Sequence, residues 1–488
     1  MDKRTQRLEQ ADRSLELNSQ QLSGLLDTVL ERLGPHLDSI DTQDAWQPPV
    51  TGQRPDNVLP AQGLPIEQVL DDLFEQRLFP AYNPASPGYM AYIPGGGLVH
   101  SAVADLIANI VNRYVAVWQT APRLAELEME VIGWFRQMLK LPDTASGFLT
   151  TGGSLANWSA VVTARRCRLP EDFLNGMIYT SDQAHHSIAR AASLAGFPQA
   201  NLRLIKSDGD YRASLEHLRQ LIEEDRQAGQ RPFMVVGHAG TTNTGAVDDL
   251  QGLAEICQQH ELWFHVDAAY GGAFMLTERG QQAMAGIEQS DSVTLDPHKG
   301  MFLPYGTGCL MVRRLEDLYA AHAVDVDYLP QMQDDPYRAD ICQISPELSR
   351  DFRGLRVWLP IQAFGFDTFR NYLDEKLDLA HWATRQLQDI PAIEVMAAPQ
   401  LSILAFRLKP DGLSEDELTK LNEVFLKRIN GDTQRVCLSA TRLDGSFAIR
   451  ICIVVFRTHL DRVRECLELI RQAAEELTGA LGESLTGS

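Results

Sequence analysis

The sequence has few cysteines, and they form no pattern that is typical of a disulfide framework or a zinc site. The 488 residues include seven cysteines, an odd number, with no Cys-x-x-Cys pair and no recurring spacing. This argues against a disulfide-stabilised fold and against a zinc cluster bound by cysteines. Widely separated thiols are typical of a reducing compartment, so the sequence predicts a cytoplasmic protein with free cysteines.

Long apolar runs are absent too. The first ten residues, Met-Asp-Lys-Arg-Thr-Gln-Arg-Leu-Glu-Gln, lack the apolar core of a signal peptide. Elsewhere the longest uncharged stretches are interrupted by Gly, Pro or polar residues, whereas a membrane span needs about 20 predominantly apolar residues. The sequence therefore predicts neither an export signal nor a membrane-spanning helix.

Positive charge is scarce. The 44 Lys and Arg residues are outnumbered by 65 Asp and Glu, which gives a formal net charge of −21. This balance argues against nucleic acid and anionic membrane as partners. An anionic cofactor or substrate must therefore be held by local hydrogen-bond donors.

The chain is too long for one hydrophobic core, and its pattern changes twice along its length. Leucines at helical spacing before Gly34-Pro35, and a second helical run over residues 65–78, predict an N-terminal helical arm, residues 1–80. Residues 81–375 are predicted to form a large domain and residues 376–488 a small α+β domain. The arm is expected to wrap another surface, such as that of a second subunit.

Short β-branched or aromatic runs alternate with helical stretches from about residue 147 to residue 314. The predicted strands are Met177–Thr180, Leu202–Ile205, Phe233–Val236, Leu262–Val266, Ser292–Leu295 and Cys309–Val312. This alternation predicts an α/β domain with a mostly parallel sheet. Ligands bind at the carboxyl ends of the strands in such sheets, and Asp267 and Lys299 follow directly after two of them.

Lys299 and Asp267 together indicate a cofactor. A lysine amine can hold an aldehyde as a Schiff base, and a carboxylate can pair with a protonated pyridine nitrogen. Pyridoxal phosphate requires both groups, so the pair predicts an enzyme that uses it. Taken singly, a strand-end Asp is more often a turn cap.

Two glycine-containing segments offer seats for a phosphate group. Gly152, Gly153 and Ser154 come directly before a helical run, where free backbone N–H groups bind anions. Thr241 and Thr242 follow another predicted strand and supply hydroxyl donors. Each segment can also be a plain turn with a helix cap.

His185 and His186 follow a predicted strand, where an imidazole can stack on a pyridine ring and meet a substrate carboxylate. They can equally be capping or surface histidines. A metal site built from histidines and Asp267 is a further alternative, with candidate ligands His185, His186, His265 and His298. No His-x-x-x-His or Cys-x-x-Cys spacing supports it, so no metal is predicted.

Residues 324–340 are acidic, contain proline and lack apolar periodicity, which predicts a long loop. Such loops in compact domains are usually functional or disordered. A tyrosine on a lid can deliver a proton while the lid excludes water, and Tyr328 and Tyr337 are the candidates. The alternative is that both tyrosines only pack.

In combination, these segments resemble the group II pyridoxal phosphate decarboxylases, and among them the aromatic L-amino acid decarboxylases. The matching motifs occur in the family's order from about residue 84 to residue 358. They are Thr180-Ser-Asp-Gln-Ala-His185, Gly240-Thr-Thr242, His265-Val-Asp-Ala-Ala-Tyr270, Asp296-Pro-His-Lys299 and Asp351-Phe-Arg-Gly-Leu-Arg-Val-Trp358.

The resemblance implies the family's type I fold, with a seven-stranded sheet in the large domain, and a homodimer with sites at the subunit boundary. It also implies roles around the cofactor ring. Lys299 would bond to the aldehyde and Asp267 would pair with the ring nitrogen. His185 and Ala269 would lie on the two faces of the ring.

The remaining implied roles concern the phosphate and the lid. Gly153, Ser154 and Thr242 would seat the phosphate, with His298 beside it. Tyr328 resembles the family's lid tyrosine, which returns a proton after carbon dioxide leaves.

The substrate pocket matches the family less closely. Tyr92, Pro94 and Trp118 fit the segments that line it, whereas Gly95 to Gly97 depart from the usual pattern and Ala116 replaces a larger ring. The resemblance therefore implies decarboxylation of an L-amino acid, with an aromatic one favoured.

Three alternatives remain open. An acidic amino acid decarboxylase would need a cation in the pocket. An aldehyde-forming oxidative deaminase would have an altered lid tyrosine or stacking histidine. A scaffold protein would have no need of the lysine beside the carboxylate.

Overall fold

The structure, a computed structural model, describes residues 13–48, 58–78, 80–324, 338 and 340–486. Its first helix, α1 (Ser19–Ser39), begins at Asn18, which forms a capping box with Gln21. The predicted stop at Gly34-Pro35 is wrong, because α1 continues through Pro35. Helix α2 (Ile66–Asp72) runs on into a π-helical turn, Leu73–Arg77.

Two helices lead into the large sheet. Helix α3 (Val99–Val111) ends at Asn112, which adopts the left-handed conformation. Helix α4 (Pro122–Met138) begins with proline, whose missing N–H costs nothing at a first helical position. Within the described part of the chain, no helix has the length and apolar character needed to cross a membrane.

The central sheet has seven strands, and helices connect most of them. The elements in chain order are β1 (Ser146–Thr150), α5 (Gly153–Arg168), β2 (Gly176–Ser181), α6 (His186–Leu194), β3 (Leu202–Ile205), α7 (Leu215–Gln227), β4 (Arg231–His238), α8 (Leu250–His260), β5 (Trp263–Ala268), α9 (Glu278–Ala283), β6 (Ser292–Leu295), α10 (Pro297–Gly300), β7 (Gly308–Val312), α11 (Leu315–His322) and α12 (Ile341–Ile344).

The strand order is β1-β7-β6-β5-β4-β2-β3, and only β7 runs antiparallel to its neighbours. The predicted mostly parallel α/β sheet is confirmed. Strand β1, which was not among the predicted strands, joins the sheet by pairing with β7.

Both faces of the sheet are buried, which explains why its strands read as continuous apolar runs. Val235 and Phe264 pack into the core on one face, whereas Met234 and Val236 pack on the other. Successive side chains of a strand point to opposite faces, so each apolar strand supplies both cores.

A long helical run, α13 (Arg353–Gln388), joins the large sheet to the C-terminal part, and its backbone breaks at Gly365 (φ 71°, ψ 156°). The predicted domain boundary at 375/376 falls inside the second half of this run. That boundary, like the one at 80/81, stays a prediction.

The C-terminal part has a four-stranded antiparallel sheet, β10-β11-β9-β8. Its elements are β8 (Ile393–Ala397), β9 (Ile403–Leu408), α14 (Glu415–Gly431), β10 (Ser439–Leu443), β11 (Ser446–Cys452) and α15 (Leu460–Thr486). Helices α14 and α15 pack with it around a separate apolar core. Strand β10 was not predicted.

Candidate active site

A cavity of about 270 Å³ opens at the carboxyl ends of β2, β4, β5 and β6, beside the first turn of α5. Most of the residues that the sequence nominated for cofactor binding line this cavity. They are Gly153, Ser154, His185, Thr242, Asp267, Ala269, His298 and Lys299. Tyr328 and Tyr337 lie outside the described residues.

Lys299 lies on the short helix α10, directly after β6. Its Nζ is 3.1 Å from Asp296 Oδ2, one turn earlier. Asp296 is buried, and its other oxygen, Oδ1, has no hydrogen-bond partner among the described residues. The lysine amine is therefore held at the cavity by a carboxylate that retains a free acceptor.

Asp267 lies near the end of β5 and is only 7% exposed. Its Oδ2 accepts a hydrogen bond from Asn157 Nδ2 (2.8 Å) and its Oδ1 accepts one from the Ala269 N–H (3.1 Å). Burial opposes ionisation, but the charges of His238 and Lys299 outweigh it and hold the pKa of Asp267 below its ordinary value. The cavity thus contains a buried, ionised carboxylate.

His185 is the N-cap of α6, and its Nδ1 accepts a hydrogen bond from the Ser187 N–H (3.3 Å). Burial lowers the pKa of His185, although the nearby charge of Asp267 acts in the opposite direction. The ring is therefore neutral near pH 7 and carries its hydrogen on Nε2. The His186 ring lies beside it, with 4.0 Å between the ring centroids.

The first turn of α5 faces the cavity without a side-chain cap. A Cβ on Gly153 would lie 3.0 Å from Asp296 Oδ2 and 3.2 Å from Ala269 Cβ, so a side chain there would occupy the cavity. The backbone N–H groups of a helix N-terminus attract anions. This turn can therefore hold a phosphate group.

The two threonines of the Gly240-Thr-Thr242 motif have different surroundings. The Thr241 hydroxyl contacts Thr244 Oγ1 (2.9 Å) and accepts a hydrogen bond from the Ala246 N–H, so the turn itself uses it. Thr242 lines the cavity, and its carbonyl accepts a hydrogen bond from Arg450 on β11 (2.5 Å).

His298 is oriented by the loop that follows Lys299. Its Nδ1 donates to the Thr307 carbonyl (2.6 Å), and burial lowers its pKa despite the nearby Asp296. Arg356 holds the same loop, because its Nη1 donates to Gly306 O and to Thr307 Oγ1 (both 3.1 Å). The Nε of Arg356 also donates to the carboxylate of Asp105 on α3 (2.8 Å).

Comparison with known proteins identifies the family. The family model described as "Pyridoxal-dependent decarboxylase conserved domain" matches residues 49–409. The chain belongs to the pyridoxal-dependent decarboxylase family. It is 32% identical to an aromatic-L-amino-acid decarboxylase of Bacillus atrophaeus, over 95% of this chain and 98% of that protein.

Two solved structures share the fold of this decarboxylase. Tryptophan decarboxylase of Catharanthus roseus, solved in complex with L-tryptophan, is 25% identical, with a TM-score of 0.86 over 94% of this chain and 99% of that one. Oryza sativa TDC, solved with PLP and tryptamine, is 24% identical, with a TM-score of 0.89 over the same shares of the two chains. The resemblance drawn from the sequence motifs is thus confirmed.

The residues of this decarboxylase fit its cofactor. Asp267 accepts one hydrogen bond at each oxygen and so retains acceptor capacity toward the cavity, where a pyridine N–H can bind. The uncapped turn at Gly153 leaves room for a phosphate, and Lys299 lies at the same cavity. Bound there, pyridoxal phosphate supplies a protonated ring that draws electrons from the substrate's α-carbon.

Several cavity residues were not singled out from the sequence. They are Asn157, Ser187, His238, Tyr270 and Asp296. Two of them had a signal that could have found them. Asn157 is four residues after Gly153 and therefore lies on the same face of α5. His238 pairs in register with Asp267 on the neighbouring parallel strand.

The predicted substrate-pocket residues Tyr92, Pro94 and Trp118 do not line this cavity in the described chain. Tyr92 is 60% exposed, whereas the Trp118 N–H donates to Asp340 Oδ1 (2.7 Å). Their role stays a prediction. Gly95 packs against the backbone and leaves no room for a side chain, because a Cβ there would lie 2.8 Å from the Lys299 carbonyl oxygen.

The histidines of the alternative metal site are engaged in other contacts. His265 bonds Ser292 Oγ (2.8 Å) and Asn157 Oδ1 (3.0 Å), and burial lowers its pKa to about 4. In the described ranges, no group of three or more His, Cys, Asp or Glu side chains is placed to hold a metal ion.

Proposed function

We propose that this enzyme removes the α-carboxyl group of an aromatic L-amino acid and releases the amine and carbon dioxide. The observation that carries the proposal is one cavity in which the Lys299 amine and the buried, ionised Asp267 carboxylate both take part. The names of its relatives support an aromatic substrate, since they include an aromatic-L-amino-acid decarboxylase and a tryptophan decarboxylase.

The side chains around the cavity would each have a different role in the reaction. Lys299 Nζ would bond to the cofactor aldehyde and be displaced by the substrate amine, while Asp296 holds it nearby. Asp267 would keep the ring nitrogen protonated, which favours loss of the carboxyl group. His185 and Ala269 would cover the two faces of the ring, and Tyr328 would return the proton.

The phosphate would be bound by neutral donors. Gly153 and Ser154 at the start of α5, together with Thr242, line one part of the cavity, and His298 lies beside them. This arrangement agrees with the scarcity of positive charge in the sequence, because backbone and hydroxyl donors replace basic side chains there.

An acidic substrate is less well supported. Decarboxylation of glutamate or aspartate needs a cation for the side-chain carboxylate, and Lys299 is the only Lys or Arg among the described residues that line the cavity. Arg450 is buried nearby, but its guanidinium donates to Asn243 O (2.8 Å), Ser439 Oγ (3.0 Å) and Thr242 O. Aldehyde formation has less support as well, since His185 and Tyr328 are both present in the sequence.

The functional unit is proposed to be a cytoplasmic homodimer. Helix α3 exposes one apolar face, and its members are 41% to 54% exposed: Val99, Val103, Leu106, Ile107, Ile110 and Val111. A second copy of the chain would cover this face and bring Tyr92, Pro94 and Trp118 to the subunit boundary. The seven free cysteines support a reducing compartment.

Sedimentation of the wild type and of two lysine variants tests the dimer. Ile107→Lys should yield monomers, whereas Leu194→Lys, at a more exposed leucine on α6, should remain dimeric. A wild type that sediments as a monomer at micromolar concentration would contradict the proposal.

Product analysis tests the activity. The holoenzyme is supplied with aromatic, acidic and basic L-amino acids, and carbon dioxide and amine are measured together. Aromatic substrates should give equal amounts of both. Aldehyde with ammonia, or turnover of glutamate alone, would refute the proposal.

The lysine is tested by covalent trapping. After borohydride reduction, the peptide that contains Lys299 should gain the mass of the cofactor. Lys299→Ala should abolish this label, and Lys409→Ala, on the small domain, should retain it. A label on another lysine would overturn the assignment.

A further inference from the structure

The side chain of Asn157 lies at the centre of the hydrogen bonds around the cavity, and it is only 1% exposed. Its Nδ2 donates to Asp267 Oδ2 (2.8 Å) and to Ser187 Oγ (2.9 Å). Its Oδ1 accepts from Thr294 Oγ1 (2.7 Å) and from His265 Nε2 (3.0 Å). An amide has two hydrogens and two lone pairs, so every position is used.

Asp267 determines which way round this amide lies. An ionised carboxylate accepts hydrogen bonds and cannot donate them. Turning the amide over would place Oδ1 against that carboxylate, so Nδ2 must face Asp267. His265 therefore gives its Nε2 hydrogen to Oδ1. Its Nδ1 then accepts from Ser292 Oγ (2.8 Å), which accepts in turn from Trp263 Nε1 (2.8 Å).

The other hydrogen of the amide leads to His185. Ser187 Oγ accepts it and lies 2.8 Å from His185 Nδ1. The Ser187 N–H donates to the same Nδ1 (3.3 Å), so this nitrogen is an acceptor and the ring carries its hydrogen on Nε2. The serine hydroxyl can then donate to Nδ1, which fixes both the tautomer and the ring plane.

We infer that Asn157 is a positioning residue, which orients the Asp267 carboxylate directly and the His185 ring through Ser187. This inference rests on the proposed function, because that function gives Asp267 and His185 their parts in the reaction. One amide would thus fix two groups that meet the cofactor from different sides. The sequence separations of 110 residues to Asp267 and 30 residues to Ser187 show that the fold alone brings them together.

Three variants separate the hydrogen bond from Asn157 to Asp267 from the hydrogen bonds that lead through Ser187 to His185. Asn157→Leu removes both. Asn157→Asp keeps the volume but places one carboxylate against another. Ser187→Ala removes only the hydroxyl that leads to His185. Thr163→Val is the control, since Thr163 is equally buried on α5 and its hydroxyl would also lose its hydrogen bonds, to the Ser159 carbonyl (2.8 Å) and to His322 Nε2 (3.4 Å).

The first measurement is the dissociation constant of pyridoxal 5'-phosphate from the refolded or dialysed full-length protein, without amino acid. Both Asn157 variants should raise it roughly 10- to 100-fold, because Asp267 loses a charge-assisted hydrogen bond. Ser187→Ala should raise it less than either Asn157 variant, because the Asp267 carboxylate keeps its hydrogen bond, and should lower kcat roughly tenfold at constant KM. Thr163→Val should alter neither.

Two results would overturn the inference. One is an unchanged dissociation constant in Asn157→Asp, and the other is a wild-type kcat in Ser187→Ala. If Asn157→Leu does not fold, the other two variants still decide. Failure of the proposed function is distinguishable, since a wild type that binds the cofactor but forms no amine refutes that function while the comparison of dissociation constants still stands.

Discussion

Replacing Gly95 with alanine should disable the active site without changing any side chain that lines it. Gly95 lies under the backbone of His298 and Lys299, and a Cβ there would lie 2.8 Å from the Lys299 carbonyl oxygen and closer still to that of His298. Ordinary van der Waals contact begins at 3.4 Å, so the lysine carbonyl must move by at least 0.6 Å, the difference between the two distances.

The displacement would affect both activity and stability. Misplacing a reacting group by about 1 Å can cost 100-fold in rate, so a shift of this size should lower kcat roughly 10- to 100-fold. Overpacking of a buried site also destabilises a protein by about 1–3 kcal/mol. Amine formation by the cofactor-loaded enzyme and the midpoint of thermal unfolding measure the two effects.

Gly133→Ala is the matched control for this substitution. Gly133 on α4 has no atom within 4 Å of an added Cβ, so Gly133→Ala should keep full activity and raise stability by up to about 1 kcal/mol. If Gly95→Ala matched the wild type in both kcat and unfolding midpoint, the backbone of Lys299 would not depend on this close approach.

Three further predictions concern buried charge. Asp267→Asn should weaken cofactor binding roughly 10- to 100-fold, as measured by fluorescence titration, and unchanged affinity would refute its pairing with the ring. Because burial lowers the pKa of His265 to about 4, the free energy of unfolding should fall by about 1.4 kcal/mol per pH unit as pH falls from 6.5 toward 4, and urea titrations should show a shallower slope for His265→Gln. Arg350→Met should destabilise the protein by about 3–5 kcal/mol, because it leaves Glu128 buried without its 2.7 Å partner. The half-exposed Arg370, which pairs with Asp367 and donates to the Leu276 carbonyl, is the control, and Arg370→Met should cost less than about 1 kcal/mol in the same titration.

The candidate site was the most predictable part of this molecule. Lys299 and His185 each follow a strand of the sheet, Asp267 lies near the end of one, and the carboxyl ends of parallel strands meet at one edge. Local sequence order was therefore enough to bring them to one cavity. Thr242 followed for the same reason, whereas Gly153 was predicted from its position directly before a helical run.

The spacing of Asn157 from Gly153 predicts only that both lie on one face of α5, because the partners of Asn157 come from three other elements of the fold. A buried amide in a helix carries no local signal of the carboxylate it will face. Strand β1 was missed because Ser146–Thr150 contains a glycine. Its place in the sheet depends on antiparallel pairing with β7, in which its middle residue, Phe148, faces Leu310, 162 residues later in the chain.

The course of α1 through Pro35 was also unpredictable from local signals, since proline usually ends a helix. The predicted pocket residues Tyr92 and Trp118 illustrate a different difficulty. In the proposed dimer a second chain would complete the pocket, and the pattern of one chain carries no signature of such a site.

The salt bridge between Arg356 and Asp105 couples helix α3 to the loop beside the candidate site. Arg356 holds helix α3, whose apolar face is proposed to meet a second chain, and also the loop that orients His298. In the proposed dimer, a displacement of α3 would therefore be transmitted through this one side chain to the loop that orients His298.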